Sequence, residues 1–177
     1  MTKLYLIRHG ETIDNARQLM QGQTQGALNE TGVEQALQLA FQLKDEPIDA
    51  FVSSDLQRAI DTCRILAEPH GKPLFTTPLL RERDWGSFTG QYIPDLRGKV
   101  WPDDIESLDK LFERSRAFLE LMKQRYPNQR VAAVGHGIIN KAIQAVYWGK
   151  EMKEIERMVN CEVRILPLFT SSTENDL

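Results

Sequence analysis

Two short apolar segments of the sequence each lead into a histidine followed by a glycine. The first segment covers residues 3–7 and leads into Arg8, His9 and Gly10, and the second covers residues 130–134 and leads into Gly135, His136 and Gly137. Segments of this length are typical of buried β-strands rather than of helices. In open α/β sheets, ligands bind just beyond the carboxyl ends of the strands. If the two strands are parallel neighbours, the two histidines therefore meet at one edge of the sheet.

The rest of the chain alternates between strand-like and helix-like patterns. Further strands are predicted at 50–52, 74–77 and 163–168, with amphipathic helices between the strands. This alternation favours an α/β fold, a three-layer α/β/α sandwich with a mostly parallel sheet. A chain of 177 residues, 41% of them hydrophobic, is long enough to form one sizeable core. We therefore expect a single domain over residues 1–177, with a polar tail from about residue 170.

Local patterns make specific predictions about individual segments. Thr31 and Glu34 have the spacing of a capping box, which predicts that a helix begins there. The buried face of this helix is predicted from apolar residues that recur with helical spacing: Val33, Ala36, Leu37, Ala40 and Phe41. A charged helix is predicted around residues 153–158. The segment 83–104, which contains several glycines and prolines, is expected to be mainly loop.

Four residues are candidates for a cationic site in a chain whose net charge is −3. His9 and His136 follow the two matching strands, Arg8 precedes His9, and Arg58 lies early in the helix after the strand at 50–52. Taken alone, Arg58 would be interpreted as a solvated charge on a helix surface. Together, the four side chains offer guanidinium groups that match phosphate oxygens and a neutral imidazole that is a competent nucleophile toward phosphorus. This combination suits phosphoryl transfer through a phosphohistidine.

Other residues near these strand ends could complete such a site. Gly10 would allow the backbone to approach a phosphate closely, and the side-chain amide of Asn15 could donate a hydrogen bond to it. An alcohol leaving group also needs a proton from a general acid. Glu82 is the first candidate for that acid, although the sequence pattern alone does not separate it from Glu11 or Asp84.

Composition limits the expected partners and compartment. The net charge of −3 gives no reason to expect nucleic acid or an acidic membrane surface as a partner. We expect neither a membrane span nor a signal peptide, and Cys63 and Cys161 have no metal-ligand spacing. No P-loop or dinucleotide-binding fingerprint competes for the phosphate-binding role. The sequence thus predicts a cytoplasmic protein whose partner is a small phosphorylated metabolite.

Several spaced motifs between residues 3 and 165 occur in a recognisable order. They are Leu6-Ile7-Arg8-His9-Gly10-Glu11-Thr12 with Asn15, Gln21-Gly22, Leu28-Asn29-Glu30-Thr31-Gly32 with Gln35-Ala36, Ser53-Ser54-Asp55-Leu56-Gln57-Arg58-Ala59, Leu80-Arg81-Glu82 with Gly86, Glu106-Ser107, and Val134-Gly135-His136-Gly137. In this order they resemble the histidine phosphatase superfamily, in its phosphoglycerate-mutase-like branch. Two positions depart from the family pattern, because Thr89 stands where many members have glutamate and Gly135 where serine or threonine is common. Both border the expected site and therefore bear on substrate preference more than on the core chemistry.

The resemblance implies a role for each candidate residue. It implies that His9 is the phosphorylated nucleophile, that Glu82 is the proton donor, and that the phosphoryl group is held by Arg8, Arg58 and His136. The residues that it implies for phosphate or substrate contacts are Gly10, Asn15, Gln21, Gly22 and Gly137. It also implies a phosphoglycerate-mutase-like fold and neither a metal nor an organic cofactor.

The chain is expected to be a phosphatase that hydrolyses a small phosphomonoester. Only the stretch from Gly90 to Ser107 separates the acid-bearing loop from the next helix. The resemblance implies that the cofactor-dependent mutases of this family are longer chains, with extra segments that shield the site from water. A phosphoglycerate mutase and a non-catalytic binding module of the same fold are the alternatives. A phosphohistidine phosphatase is disfavoured because its compact relatives tend to lack the acid at Glu82. The natural substrate and the choice between monomer and homodimer stay open.

Overall fold

The computed structural model of the protein describes residues 1–170. The strands are β1 (Thr2–Arg8), β2 (Ala50–Ser53), β3 (Leu74–Thr76), β4 (Arg130–Gly135) and β5 (Val163–Leu168), and the helices are α1 (Ile13–Ala16), α2 (Glu30–Leu43), α3 (Gln57–Ala67), α4 (Leu108–Arg125) and α5 (Gly137–Trp148). The predicted polar tail lies outside the described residues from 171 onward. Within residues 1–170, no helix combines the length and the apolar character needed to span a membrane.

The five strands form one sheet in the order β3-β2-β4-β1-β5. The first four strands are parallel and β5 pairs antiparallel with β1, so the predicted mostly parallel α/β sheet is confirmed. Strands β1 and β4 are adjacent, and their register pairs Arg8 with Gly135. The backbone N–H of His9 donates to the carbonyl of Gly135 at 3.1 Å, which continues the pairing by one residue. The two histidines therefore leave the same edge of the sheet side by side.

Alternating side chains of the central strands divide the core into two layers. In β1, Leu4 and Leu6 pack with residues of α4 and α5, whereas Tyr5 and Ile7 pack on the other side with residues of α2 and α3. All four of these β1 side chains are at most 1% exposed, as expected for a parallel strand covered on both faces. The predicted three-layer arrangement of helices around a sheet is therefore the observed one.

The start and the buried face of α2 differ from the sequence prediction. The capping residue is Asn29, whose side-chain Oδ1 accepts a hydrogen bond from the N–H of Gly32 at 2.8 Å. The prediction that a capping box at Thr31 begins the helix was therefore wrong. The helix packs inward through small or slender residues, Gly32, Ala36, Leu39 and Ala40. The larger residues predicted to be buried are exposed instead: Val33, Leu37 and Phe41. Three of the four inward-facing residues of α2 are glycine or alanine, and the buried stripe is rotated from the predicted one.

The helix predicted around residues 153–158 is also wrong. Only a single 3-10 turn, Met152–Glu154, forms in this region. The carbonyl groups that would continue a helix accept hydrogen bonds from arginines instead, because Met158 O accepts from Arg8 and Glu156 O accepts from Arg164. The segment 83–104 is mainly loop, as predicted, with short 3-10 turns at Gly86–Phe88 and Ile93–Leu96.

A backbone crossing explains the glycine that follows His9. A Cβ atom at Gly10 would lie 2.6 Å from the carbonyl oxygen of Gly32, and one at Gly32 would lie 2.0 Å from the carbonyl oxygen of Glu11. Both separations are shorter than any Cβ contact that the backbone could tolerate without moving. Gly10 is therefore required for the loop after β1 to cross the first turn of α2, and the approach of a phosphate to its backbone stays a prediction.

Substitution of Gly32 tests this crossing. Alanine normally stabilises a helix by about 1 kcal/mol relative to glycine. We expect Gly32→Ala to lower the free energy of unfolding instead, by about 2 kcal/mol or more, because the new methyl group overpacks the crossing. Chemical denaturation measures the change, and Thr31→Ala on the exposed side of the same turn is the matched control, with an expected change below about 0.5 kcal/mol. Equal or greater stability of Gly32→Ala would contradict the proposed role of the crossing.

Candidate active site

A pocket of about 200 Å³ lies at the carboxyl end of β1 and contains most of the predicted site residues. Seven of the ten line its wall: Arg8, His9, Asn15, Gln21, Gly22, Arg58 and Glu82. The remaining three lie outside the wall. His136 is fully buried beside His9, Gly10 packs at the crossing with α2, and Gly137 begins α5 close to the guanidinium of Arg8. The structure therefore places seven of the predicted residues in one pocket wall and the other three directly behind that wall.

The protonation of His9 follows from its surroundings. Its Nδ1 lies 2.7 Å from the carbonyl oxygen of Gly10, and since a carbonyl only accepts, we assign the ring proton to Nδ1. The lone pair is then on Nε2. Burial, followed by the charge of Arg58, lowers the pKa of His9 to about 3. The imidazole is therefore neutral near pH 7 and presents a nucleophilic nitrogen.

His136 is held by a serine that the sequence reasoning did not single out. The two imidazole rings lie edge to face with their centroids 5.1 Å apart. The Nε2 of His136 lies 2.6 Å from the hydroxyl oxygen of Ser54, which also accepts from the N–H of Leu56 at 3.3 Å. We therefore assign the hydroxyl proton of Ser54 to a hydrogen bond donated to Nε2, which leaves the ring proton of His136 on Nδ1. Burial and the charge of Arg58 lower the pKa of His136 well below its ordinary value, so this ring is also neutral.

Arg58 is a buried residue and not the solvated surface charge that its sequence position suggests. Its side chain is 1% exposed, and its guanidinium donates to the carbonyl oxygens of Gly22 at 2.7 Å, of Gln25 at 3.3 Å and of Thr24. Burial lowers the pKa of Arg58 to about 10, which leaves it charged at neutral pH. Loop carbonyls thus fix the orientation of a cation that faces the pocket.

Arg8 is fixed in a similar way from the opposite side. Its Nη1 donates to the carbonyl oxygen of Met158 at 2.7 Å, and its side chain is 7% exposed. Burial, followed by the nearby charge of Arg157, lowers the pKa of Arg8. Each of the two arginines therefore uses part of its guanidinium to hold a loop and keeps the rest for another acceptor.

Three buried N–H donors around His9 have no acceptor within residues 1–170. They are Nε of Arg8, Nε of Arg58 and Nδ1 of His136. Buried donors are normally paired, because an unpaired one costs free energy of about 1–3 kcal/mol. Three such donors beside one neutral imidazole indicate a site that is completed by a bound anion with several acceptor oxygens.

Two amide side chains contribute further donors to the same wall. The Oδ1 atom of Asn15 accepts from the N–H of Thr12 at 3.1 Å, and the Oε1 atom of Gln21 accepts from the hydroxyl of Thr12 at 3.0 Å. Because each oxygen is already bound to the protein, the amide nitrogen on the same group is the atom left for a ligand. This orientation suits acceptor oxygens and agrees with the predicted phosphate contacts of both residues.

The carboxylate of Glu82 lies at the first turn of α5. It accepts from the N–H of Ile139 at 3.0 Å and of Arg83 at 2.8 Å through Oε1, and from the N–H of Ile138 at 3.1 Å through Oε2. Because Oε2 accepts only one hydrogen bond, it has a lone pair that can hold a transferable proton. Arg114 positions the loop that carries Glu82 by donating to the carbonyl oxygens of residues 79, 81 and 82.

The structure distinguishes Glu82 from the two other acids that the sequence left open. Glu11 accepts a hydrogen bond from the side chain of Asn29 at 2.7 Å and does not line the pocket. Asp84 is exposed and accepts from the N–H of Gly86 at 2.9 Å. Of the three, only Glu82 faces the pocket among the described residues.

The two departures from the family pattern have different structural settings. A Cβ atom at Gly135 would lie 2.2 Å from the side-chain Oδ1 of Asn140, whose Nδ2 donates to the carbonyl of Ile7. A serine or threonine at position 135 would therefore displace Asn140, which accounts for the glycine by packing. Thr89 lies against Gly22, because its hydroxyl oxygen is 3.1 Å from the position of a Cβ there. Only Thr89 thus borders the pocket wall directly.

Comparison with known proteins agrees with this geometry. The family model of the histidine phosphatase superfamily (branch 1) matches residues 4–174. The uncharacterized phosphatase PhoE of Bacillus subtilis (strain 168) is 36% identical over 165 residues, which are 90% of this chain and 85% of that protein. The metal-independent phosphoserine phosphatase of Arabidopsis thaliana is 36% identical over 160 residues, 81% of this chain and 67% of that protein. Mycobacterial glucosyl-3-phosphoglycerate phosphatase in complex with VO3 superposes with a TM-score of 0.85 at 29% identity, covering 93% of this chain and 92% of that chain.

The buried, neutral state of His9 predicts a pH dependence of stability. An unfolded histidine has a pKa near 6.5, whereas the pKa of folded His9 is about 3. Between these values the unfolded chain binds a proton that the folded chain does not bind, so the free energy of unfolding falls as the pH is lowered. We expect a loss of about 2 kcal/mol from this residue between pH 7.5 and pH 5. Urea denaturation of the wild type and of His9→Gln measures it, and parallel pH profiles of the two proteins would refute the prediction.

The Ser54 hydroxyl is predicted to set the tautomer of His136. In Ser54→Ala, Nε2 of His136 loses its donor, so the ring proton can move from Nδ1 to Nε2 and Nδ1 no longer donates to a bound anion. We expect kcat/KM for a phosphomonoester to fall about tenfold, the equivalent of one hydrogen bond to a charged group. Nitrogen-15 NMR of the imidazole reports the tautomer directly. An unchanged tautomer in Ser54→Ala would show that Ser54 has only a packing role.

Proposed function

Because the chain belongs to the histidine phosphatase superfamily (branch 1), we propose that it is a phosphatase that hydrolyses small phosphomonoesters through a phosphohistidine intermediate on His9, without a metal. The observation that supports this most directly is the set of three unpartnered donors, from Arg8, Arg58 and His136, around a neutral imidazole. A phosphoryl group supplies the acceptor oxygens that these donors lack. Relatives named as phosphatases, one of them metal-independent, favour the same reaction.

The first step transfers the phosphoryl group to His9. Its Nε2 forms a bond to phosphorus as the bond from phosphorus to the ester oxygen breaks, and the leaving alcohol takes a proton from Oε2 of Glu82. The guanidinium groups of Arg8 and Arg58 stabilise the negative charge on the equatorial oxygens. Phosphorylation makes the imidazole cationic, and the hydrogen bond from its Nδ1 to the carbonyl of Gly10 then stabilises that charge.

The second step releases phosphate. Water attacks phosphorus, the bond from phosphorus to Nε2 of His9 breaks, and the electron pair returns to the imidazole. Glu82, left as a carboxylate by the first step, accepts the proton of the attacking water. The site is then restored with neutral His9 and protonated Glu82, and no group outside the chain, water and substrate takes part.

Release of inorganic phosphate by the purified protein in the presence of a chelator tests the proposal. We expect turnover of p-nitrophenyl phosphate and of an alkyl ester such as glycerol 1-phosphate. His9→Ala should lower kcat by more than about a thousandfold, because it removes the nucleophile. His70→Ala, a histidine outside the pocket, is the matched control and should keep wild-type activity. Full activity of His9→Ala would refute the phosphohistidine.

Glu82→Gln tests the proposed proton donor by comparing two esters whose leaving groups differ in their need for a proton. Removal of a general acid costs about a hundredfold or more when the leaving group is a poor one. The alkyl ester should therefore lose at least about a hundredfold, while p-nitrophenyl phosphate, which leaves as a stable anion, should lose much less. Equal losses on both esters would remove Glu82 from the role of proton donor. Transfer of phosphate within 3-phosphoglycerate that outpaces its hydrolysis would instead favour a mutase.

A further inference from the structure

The pocket wall contains two cationic side chains that the proposed chemistry does not use. Lys141 lies one turn into α5, and Arg157 lies in the irregular segment before β5. Both line the same pocket as Arg8 and Arg58. Neither belongs to the motifs that carry the family resemblance, and their positions in the sequence give no sign that they meet at this site.

Neither side chain is neutralised by the protein within residues 1–170. Other arginines near the pocket are paired with carboxylates: Arg81 with Asp55, Arg114 with Glu106, and Arg164 with Glu162. In the described part of the chain, Lys141 and Arg157 take part in no ion pair and donate no side-chain hydrogen bond. Arg157 is also close enough to Arg8 for its charge to be a cause of the lowered pKa of Arg8. Arg157 thus adds its positive charge to that of Arg8, and among the described residues neither Lys141 nor Arg157 is paired with a carboxylate.

The charges of the pocket exceed those of one phosphoryl group. Its described wall has four cationic side chains, from Arg8, Arg58, Lys141 and Arg157, and one carboxylate, from Glu82. The excess is therefore three positive charges when Glu82 is ionised, and four when Glu82 carries the proton that the proposed reaction requires. A phosphate monoester carries a charge of about −1.5 to −2 at pH 7. In either state of Glu82, at least about one positive charge is left for a second anionic group, and a carboxylate matches it.

Most of the apolar part of the wall lies on different elements from these cations, with Ile138 of α5 as the exception. It is formed by Leu19, Met20, Trp85 and Ile93, which come from two loops joined by a bridge between Leu19 and Tyr92. Lys141 and Arg157 come instead from α5 and from the segment before β5. The pocket volume of about 200 Å³ is below that of sites for drug-sized ligands. Such a pocket suits a phosphorylated compound with a short carbon skeleton.

We propose that Lys141 and Arg157 bind a carboxylate on the substrate while its phosphoryl group is held by Arg8 and Arg58. The substrate class is then a small phosphorylated hydroxy acid or amino acid. This proposal rests on the proposed function, since it assigns the second end of the molecule whose phosphoryl group reacts at His9. The apolar loops contact the carbon skeleton between the two anionic ends.

Two pairs of substrates isolate the carboxylate. O-phosphoserine and O-phosphoethanolamine differ only in a carboxylate, and 3-phosphoglycerate and glycerol 1-phosphate differ in a carboxylate in place of a hydroxymethyl group. We expect kcat/KM to be about tenfold higher for the substrate that carries the carboxylate in each pair, mainly through a lower KM. Only that substrate can form the hydrogen-bonded ion pair with Lys141 and Arg157. A preference ratio near one in the wild type would overturn the proposal.

Substitutions locate the preference on the two cations. Lys141→Met and Arg157→Met should each lower the ratio toward one, and Lys141→Arg, which keeps the charge, should retain most of it. Lys150→Met is the matched control, because it removes one exposed charge just after α5, outside the pocket wall, and should keep the wild-type ratio. An unchanged preference ratio in both Lys141→Met and Arg157→Met would show that the carboxylate is bound elsewhere.

Binding measurements separate a failure of this proposal from a failure of the proposed function. Calorimetric titration of His9→Ala with O-phosphoserine and with O-phosphoethanolamine needs no turnover. Tighter binding of O-phosphoserine than of O-phosphoethanolamine would support the second subsite even for a protein without phosphatase activity. This difference in affinity should be lost when His9→Ala is combined with Lys141→Met and Arg157→Met. Equal affinity for the two compounds would overturn the subsite, whatever the catalytic assays show.

Discussion

The parallel pairing of β1 with β4 is the constraint on which the rest of the site depends. Their register sets Arg8 opposite Gly135, so the residues that follow, His9 and His136, leave the sheet together. Strands that are far apart in sequence thus fix the distance between two imidazoles without any loop having to adapt. A shift of the register by one residue would reverse the faces of the alternating core side chains, so the hydrophobic layers on both faces of the sheet protect this distance.

Burial gives these side chains their chemistry and also makes the site costly to maintain. Desolvation lowers the pKa values of His9 and His136, and both stay neutral beside two guanidinium groups. The nearby charge of Glu82 counteracts the lowering of the pKa of both arginines by burial. Loop carbonyls accept hydrogen bonds from both arginines, Gly22 O from Arg58 and Met158 O from Arg8. The same bonds order the loops that form the pocket wall. One set of hydrogen bonds therefore orients both arginines and orders the loops around them.

The sequence predicted the parts of this structure that depend on strand patterns and local motifs. The meeting of His9 with His136 followed from two apolar strands with the same ending, and the fold followed from the alternation of strands and helices. Features that depend on tertiary packing were missed. Phe41 and Leu37 have helical spacing but face outward, because the buried stripe of α2 runs through Gly32, Ala36, Leu39 and Ala40 instead. Ser54 follows a predicted strand, but its hydrogen bond to His136 can be predicted only when the position of His136 in space is known. Likewise, no local sequence pattern predicts that Lys141 and Arg157 lie at the pocket.

The position of Glu82 bears on how the proposed phosphoryl group would be held in this pocket. In many α/β proteins, a phosphate binds directly to the free N–H groups at the start of a helix. Here the first turn of α5 follows His136 at the sheet edge, but its N–H groups at Ile138 and Ile139 donate to the carboxylate of Glu82. The helix terminus therefore holds the proposed acid in place and is not available to the substrate. The charge of the phosphoryl group must then be balanced by side chains, and Arg8 and Arg58 are the buried cations within reach. In the proposed reaction, the helix N-terminus binds the acid and the guanidinium groups bind the anion. The proposed proton donor and phosphate site therefore lie side by side without competing for the same N–H donors.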